Sequence, residues 1–292
     1  MMDLYEFINF HLIPGLLLGA IYALGAIGVT LVFGILRFAH LAHGDLLTLG
    51  AFLALGVVTF SGMDPWFALP VAMLLTAGAA LLIDASCYDY LRERPKILTV
   101  MASLGVALMV RAVVQMGWGT DPTTYSTGIV RPTEYFGSVL LRERELLTFA
   151  AVILIVVALE AFLRLTRWGR AMRAMSDNPD LARLCGVDTR QVVRLTWVIV
   201  GMLCAAAGFL LGINTEVWAM MGWWALLPIF AAAILGGVGR IDGAVLGGLV
   251  IGLAEELSVL VVPAQYKSAT AFVILLLVLL FRPRGILKGK VL

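Results

Sequence analysis

Nine apolar runs dominate the chain and decide what it can fold into: Leu12 to Ile35, Leu46 to Phe60, Trp66 to Ile83, Ile97 to Trp118, Leu146 to Leu163, Val192 to Ile213, Trp223 to Val238, Ala244 to Val262 and Ala269 to Phe281. Only 14% of the 292 residues are charged and the mean hydropathy is +0.99, against about 25% charge in an ordinary soluble domain. So few charges cannot clothe a water-soluble fold of this length, and lipid must solvate the excess apolar surface. The sequence therefore reads as an all-α polytopic transmembrane helix bundle of about eight or nine spans, a single domain over 1–292. Several runs fall below the roughly 20 residues that cross a bilayer, so some helices are broken, tilted or shielded by neighbours. The longest stretches without a strong apolar run, 119–145 and 164–194, leave no room for a catalytic soluble domain. Any such domain must come from another polypeptide.

Charge placement sets the expected orientation, because cytoplasmic loops retain Lys and Arg. With nine crossings and the acidic N-terminus outside, sixteen of the 21 Lys and Arg fall on inner segments, seven of them between Arg164 and Arg194. Outside lie Arg131, Arg142, Arg144 and Lys267, and Arg111 is left within a span. The C-terminus is then inside. No Lys or Arg precedes Arg37, so the first apolar run lacks the basic flank of a cleaved signal and is expected to remain in the protein. Cys87, Cys185 and Cys204 are too few and too scattered for a disulfide framework or a zinc site. The net charge of +2 says little about nucleic acid, and no nucleic-acid partner is expected.

Two regions look alike. Asp45 in HLAHGDLLTLGAFL and Asp242 in GVGRIDGAVLGGLV each follow a span, precede a short Gly-rich one, and lead to a basic Pro-containing segment, as an internal repeat would. Gly15 with Gly19, Gly243 with Gly247, and Gly248 with Gly252 have the small-xxx-small spacing that lets helix backbones approach closely. Packing is one reading of these glycines. The other is that short Gly-rich helices line a route and slide, with His43, Gly44, Asp45, Gly236, Gly237, Gly243 and Gly247 as the path and gating candidates. His40, His43 and Asp45 invite a metal site, but two His and one carboxylate make a thin ligand set. Asp45 capping the start of its short helix is the simpler expectation, and no metal is assigned. Charges within spans need an account. Glu160 can reach an inner end, Arg111 can pair with a carboxylate such as Glu255 or face a subunit interface, and Glu160, Glu255 and Glu256 could form a proton relay.

The polar stretch from Arg164 to Arg194 is more than a short loop. Ser176 or Asp177 can cap a new helix, Pro179 and Asp180 suit its first turn, and Gly186 can end it in the left-handed conformation. A helix of about two turns, Pro179 to Cys185, is predicted, with Leu181, Leu184 and Cys185 on an apolar edge and Arg183 elsewhere. Such an element suits docking of a cytoplasmic protein. A basic loop that merely keeps to the inner side is the alternative.

The stretches GAIYALGAIGVTLVFGILRFAHLAHGDLLTLGAFLAL, GRAMRAMSDNPDLARLCGVD, ILGGVGRIDGAVLGGLVIGLAEE and FRPRGIL together resemble, in the same order, the LivH-type branched-chain amino-acid permease subunits of bacterial ABC importers. The resemblance implies that Gly169 to Val187 is the segment coupled to the ATPase, matching the family at Gly169, Arg170, Ala171, Arg173, Ala174, Ala182 and Gly186. It implies further partners too: a second, LivM-like permease, two cytoplasmic ATPase subunits, a periplasmic substrate-binding protein and the lipid of the cytoplasmic (inner) membrane. The departures are His40, where related permeases more often have Asn, and Arg240 with Asp242, which charge a turn that is usually more neutral.

The chain has no nucleotide site of its own. Its Gly289-Lys290 pair has Arg284 at the first-glycine position and Val291 after it, where a phosphate-binding loop needs Gly and then Ser or Thr. No enzyme activity and no cofactor are expected. A secondary transporter driven by an ion gradient through intramembrane carboxylates is the alternative function. The sequence does not choose among branched-chain amino acids, urea, short amides and aromatic acids as cargo.

Overall fold

The computed structural model describes residues 4–125, 132–135, 139–282 and 285–287. Arg131, Arg284, Lys288 and Lys290, which enter the charge count above, lie outside the described residues. Each apolar run becomes one helix, since a chain in hydrocarbon must satisfy its own backbone polar groups. Helix α1 (Ile13–Leu36) continues helical turns that begin at Leu4, and α2 (His43–Ser61) ends at Gly62 with φ +64°. Asp64 caps α3 (Pro65–Ile83) by accepting the Trp66 N–H at 2.9 Å, and α3 runs on through a π turn to Leu91. There follow α4 (Lys96–Trp118), a short β1–β2 hairpin (Thr133–Tyr135, Val139–Leu141), α5 (Glu143–Leu165), α6 (Arg167–Asp177) and α7 (Pro179–Leu184). The chain closes with α8 (Thr189–Asn214), α9 (Met221–Gly236), α10 (Ile241–Ser258) and α11 (Lys267–Phe281). Seven helical stretches are long and apolar enough to cross a membrane. Of the other two run-derived helices, α9 is shorter, and α10 carries Asp242, Glu255 and Glu256.

Helices α1 and α8 form the core. Their most apolar windows are 83% and 78% buried, against 6% for α11 at the periphery. α10 packs antiparallel on α1, and α3 antiparallel on α8, where Trp66 meets Phe209 and Gly201 meets Ala77. Lipid tails are as apolar as leucine, so hydrophobic burial does not drive helices together; close van der Waals contact does. The paired glycines provide it. A Cβ on Gly19 would lie 2.8 Å from Leu249 Cα, and one on Gly248 would lie 2.6 Å from the Ala23 nitrogen. Gly243 and Gly247 similarly seat α10 on the Gly236 end of α9.

The loop after α1 climbs back into the bundle. Arg37 takes a left-handed conformation (φ +59°) and turns the chain, and by His43 it is level with Gly25, to whose carbonyl the His43 ring is bonded at 3.0 Å. Gly25 is eleven residues before Leu36, roughly 16 Å along the helix at about 1.5 Å per residue. Thus α2 starts deep inside the bundle.

Gly248→Ala should lower stability in detergent by about 1–3 kcal/mol through overpacking. Gly105→Ala, with nothing within 4 Å of its Cβ, should be neutral or gain up to about 1 kcal/mol from helix propensity. Thermal unfolding of the two variants side by side checks the contrast.

Candidate functional site

Two helix N-termini meet within the bundle. Gly44 in the first turn of α2 abuts Gly222 in the first turn of α9, and the Gly222 N–H donates to Thr48 Oγ1 at 3.0 Å. Neither position has room for a side chain. His43 is fully buried against Gly28. Because a carbonyl can only accept, His43 Nε2–H donates to Gly25, leaving Nδ1 to take the Cys204 thiol at 3.5 Å.

Asp45 does not cap α2 as expected. Its carboxylate accepts two hydrogen bonds from Arg111 of α4, Nε at 2.9 Å and Nη2 at 3.1 Å, while Trp223 at the start of α9 lies under the guanidinium, 4.8 Å from it. Arg111 therefore forms an ion pair, but with Asp45 rather than Glu255, and ties α4, α2 and α9 to one point. His40 is turned elsewhere, bonded to Tyr88 at 3.0 Å among Phe38 and Trp197. His40, His43 and Asp45 thus point to three different partners. Among the described residues no group of three or more His, Cys, Asp or Glu is placed to hold a metal.

The other intramembrane carboxylates have different partners. Tyr22 donates to Glu255 at 2.9 Å, Lys267 pairs with Glu256, and Glu160 pairs with Arg164. Asp242, the counterpart of Asp45 in the look-alike segment, lies exposed in a fork with Arg240, so the two aspartates occupy unlike surroundings.

At the α6 end of the bundle Gly236, Gly237, Gly243 and Gly247 form one packed turn. Gly237 (φ +104°) ends α9, and Gly236 and Gly243 meet backbone to backbone. The chain after α11 clips onto it: Ile286 N–H donates to Leu235 at 2.8 Å, Leu287 N–H to Gly236 at 3.3 Å, and Arg240 to the Leu287 carbonyl at 3.1 Å.

The segment 164–194 contains two helices, not one. The second, α7, is the predicted one; its cap is Asn178, which accepts the Asp180 and Leu181 N–H groups at 3.1 Å, while Ser176 and Asp177 belong to the last turn of α6. Gly186 is left-handed (φ +82°). The first, α6, was not foreseen, although Met172 and Met175 at three-residue spacing, with exposed Arg170 and Arg173 beside them, are a readable amphipathic signal. Met172, Met175 and Gly169 are buried; Arg170, Arg173, Ala174 and Gly186 are exposed; Ala171 is half-buried. Ala182 faces inward, and Leu181 and Leu184 face outward. A partner would touch the arginines and leucines, while Gly169 and Ala182 fasten the segment to the bundle.

Helix α1 runs between two cavities. One of about 360 Å³ lies at the α6 end, lined by Thr30, Gly34, Arg164, Met172, Ser176 and Arg240 among others. One of about 370 Å³ lies at the opposite end, with Ile13, Leu17, Leu18 and Ile21 along one wall. Between them Leu24, Ala26 and Ile27 are fully buried.

A family model described as branched-chain amino acid transport system / permease component matches residues 12–279. The high-affinity branched-chain amino acid transport system permease protein BraD of Pseudomonas aeruginosa is 33% identical over 98% of this chain and 97% of its own length. The chain belongs to this permease family. LivH of Escherichia coli (strain K12), with the same printed activity, is 33% identical over 94% of this chain and 93% of its own. PsaBC from Streptococcus pneumoniae, solved in complex with Fab, aligns with a TM-score of 0.50 over 93% of this chain and 91% of that one; at 14% identity the likeness is one of fold alone. The permease is a multi-pass transporter subunit.

Removing one member of a buried ion pair leaves an uncompensated charge, at about 3–5 kcal/mol. Asp45→Asn should therefore destabilise the permease strongly, and Asp45→Leu with Arg111→Met should recover much of the loss. A double-mutant cycle read by thermal unfolding checks this.

Proposed function

We propose that the chain is one half of the channel of an ABC importer in the bacterial cytoplasmic membrane. It pairs with a second, LivM-like permease, is driven by two cytoplasmic ATPase subunits, and receives cargo from a periplasmic binding protein. The whole of 1–292 acts as one transmembrane domain, with its N-terminus outside and its C-terminus inside. The cargo is a branched-chain amino acid or a related small polar solute, as the names of the relatives suggest. No cofactor is needed, because the relatives' role is passage.

The observation that carries this reading is how α6 is seated. Gly34 of α1 faces Ser176 of α6 on one side and Gly239 of the α9–α10 turn on the other, and Gly169 packs against the backbone of Leu163 at the end of α5. A push on 164–194 would be felt by α1, α5 and the glycine turn together. Arg167, Arg170 and Arg183 face out from this segment and would hold an acidic rim on the ATPase. The gating candidates His43, Gly44, Asp45, Gly236, Gly237, Gly243 and Gly247 lie at the N-terminal junction and at the glycine turn, the two places where these helices are broken.

A gradient-driven carrier would need its carboxylates in line. Glu160 instead pairs with Arg164 within α5, while the adjacent Glu255 and Glu256 turn to Tyr22 of α1 and Lys267 of α11.

With cysteine in place of exposed Leu184 (Leu184→Cys), crosslinking to the ATPase subunit in the assembled transporter is expected, and the same change at buried Ala182 should crosslink poorly. Arg170→Glu combined with Arg183→Glu should cut ATP-driven uptake by about tenfold or more while leaving insertion intact, consistent with the loss of about 1.4 kcal/mol or more of docking. Uphill uptake by the permease reconstituted alone would rule the importer reading out.

A further inference from the structure

The cavity at the end opposite α6 has a composition that the transport reading does not itself require. Its floor is aliphatic: Ile13, Leu17, Leu18 and Ile21 of α1 and Leu211 of α8. Its rim is charged with both signs, from Arg142 and Glu145 at the start of α5 and from Glu256 and Lys267. Lys267 and Glu256 satisfy each other. Arg142 and Glu145 do not: Glu145 Oε2 takes the backbone N–H of Arg142 at 3.0 Å, and the Arg142 guanidinium makes no hydrogen bond or ion pair with any described residue. Asn214 also lines the cavity, its Nδ2 held by the Leu210 carbonyl at 2.8 Å and by Thr148 at 2.9 Å.

We propose that this cavity is the permease's own cargo-receiving site and that it selects a small zwitterion with an aliphatic body. The carboxylate binds the Arg142 fork, the ammonium lies against Glu145, and the side chain rests on the α1 floor. About 370 Å³ is near the lower bound for ligand pockets, about 300 Å³, so it admits one small amino acid. The same chemistry disfavours urea and short amides, which have neither charge, and aromatic acids, which lack the ammonium. Specificity then resides partly in the membrane subunit, with Arg142 and Glu145 as its specificity residues. The inference rests on the importer reading for its cargo, and it fails separately from that reading.

The test is binding of radiolabelled L-leucine to the full-length permease in phosphatidylcholine nanodiscs, competed with isovalerate, which lacks the ammonium, and with isoamylamine, which lacks the carboxylate. Saturable leucine binding is expected, with neither analogue competing at equal concentration. Arg142→Gln and Glu145→Gln should each weaken it about tenfold or more, as loss of a charge-assisted contact does. Arg142→Lys should retain part of the affinity, and Glu216→Gln, an exposed carboxylate at the same end but outside the cavity, should change nothing. Thermal unfolding of each variant separates lost binding from lost folding. The proposal is overturned if leucine shows no saturable binding below about 10 mM, the weak end of measurable affinity. It is overturned as well if isovalerate competes as well as leucine, or if phosphatidylethanolamine, a zwitterion from the membrane, displaces leucine from the site. ATP-driven leucine uptake by the assembled transporter that is indifferent to Arg142 and Glu145 overturns the site and leaves the importer reading standing.

Discussion

Contact between backbones, without side chains between them, is the interaction on which the rest of this bundle depends. Inside a bilayer there is no water to expel, so helices hold together only as well as they fit. The fit here is made by glycine. α10 lies on α1 through Gly15, Gly19, Gly248 and Gly252, α2 meets α9 through Gly44 and Gly222, and α8 receives α2 at Gly208. These contacts form a continuous core around α1 and α8, and the bulkier apolar side chains of α3, α4, α5 and α11 are left facing outward.

Such packing permits what a leucine-filled interface would not: helix ends inside the bundle. The first turns of α2 and α9 leave N–H groups without helical partners, and nearby groups answer part of this. Thr48 accepts from Gly222. Asp45, in the first turn of α2, places a negative charge at the positive end of the helix, and Arg111 balances that charge from α4. The ion pair is thus a consequence of starting a helix in the interior, and irregular backbone at this depth is tolerated because protein, and not lipid, surrounds it.

What was legible beforehand follows from how local each signal is. The nine runs, the paired glycines, and the short helix with Pro179 in its first turn and Gly186 past its end each depend on residues a few positions apart, and each appears in the fold. Asp45 and Arg111 are 66 residues apart, and no spacing rule connects them, so Asp45 reads as a cap and Arg111 is left between a carboxylate such as Glu255 and a subunit interface. Helix α6 was missed for another reason: its arginines already had an explanation in membrane orientation, and the Met172–Met175 stripe beneath them went unused. The receiving cavity draws on α1, α5, α8, α10 and α11, and only the assembled bundle brings those polar groups together.

The sealed middle of α1 also constrains how any passage could open. Between the two cavities the closure is made by Gly25 against Ile229, Gly28 against His43, and Ala23 against Gly248, with Leu24, Ala26 and Ile27 fully enclosed. A gate built on large side chains could open by rotamer changes while the helices stayed still. This one has few side chains to swing, and close-packed interiors shift between discrete arrangements more readily than they deform. Access can therefore alternate only if whole helices slide or tilt past α1. α2 and α9 begin inside the bundle and are joined there by the Asp45–Arg111 pair and the Gly222–Thr48 hydrogen bond, so they would shift together. Gly239 of the α9–α10 turn and Ser176 of α6 both lie against Gly34 of α1, so under the proposed coupling a displacement at the basic segment would reach the seal through rigid helices rather than through a chain of side-chain adjustments.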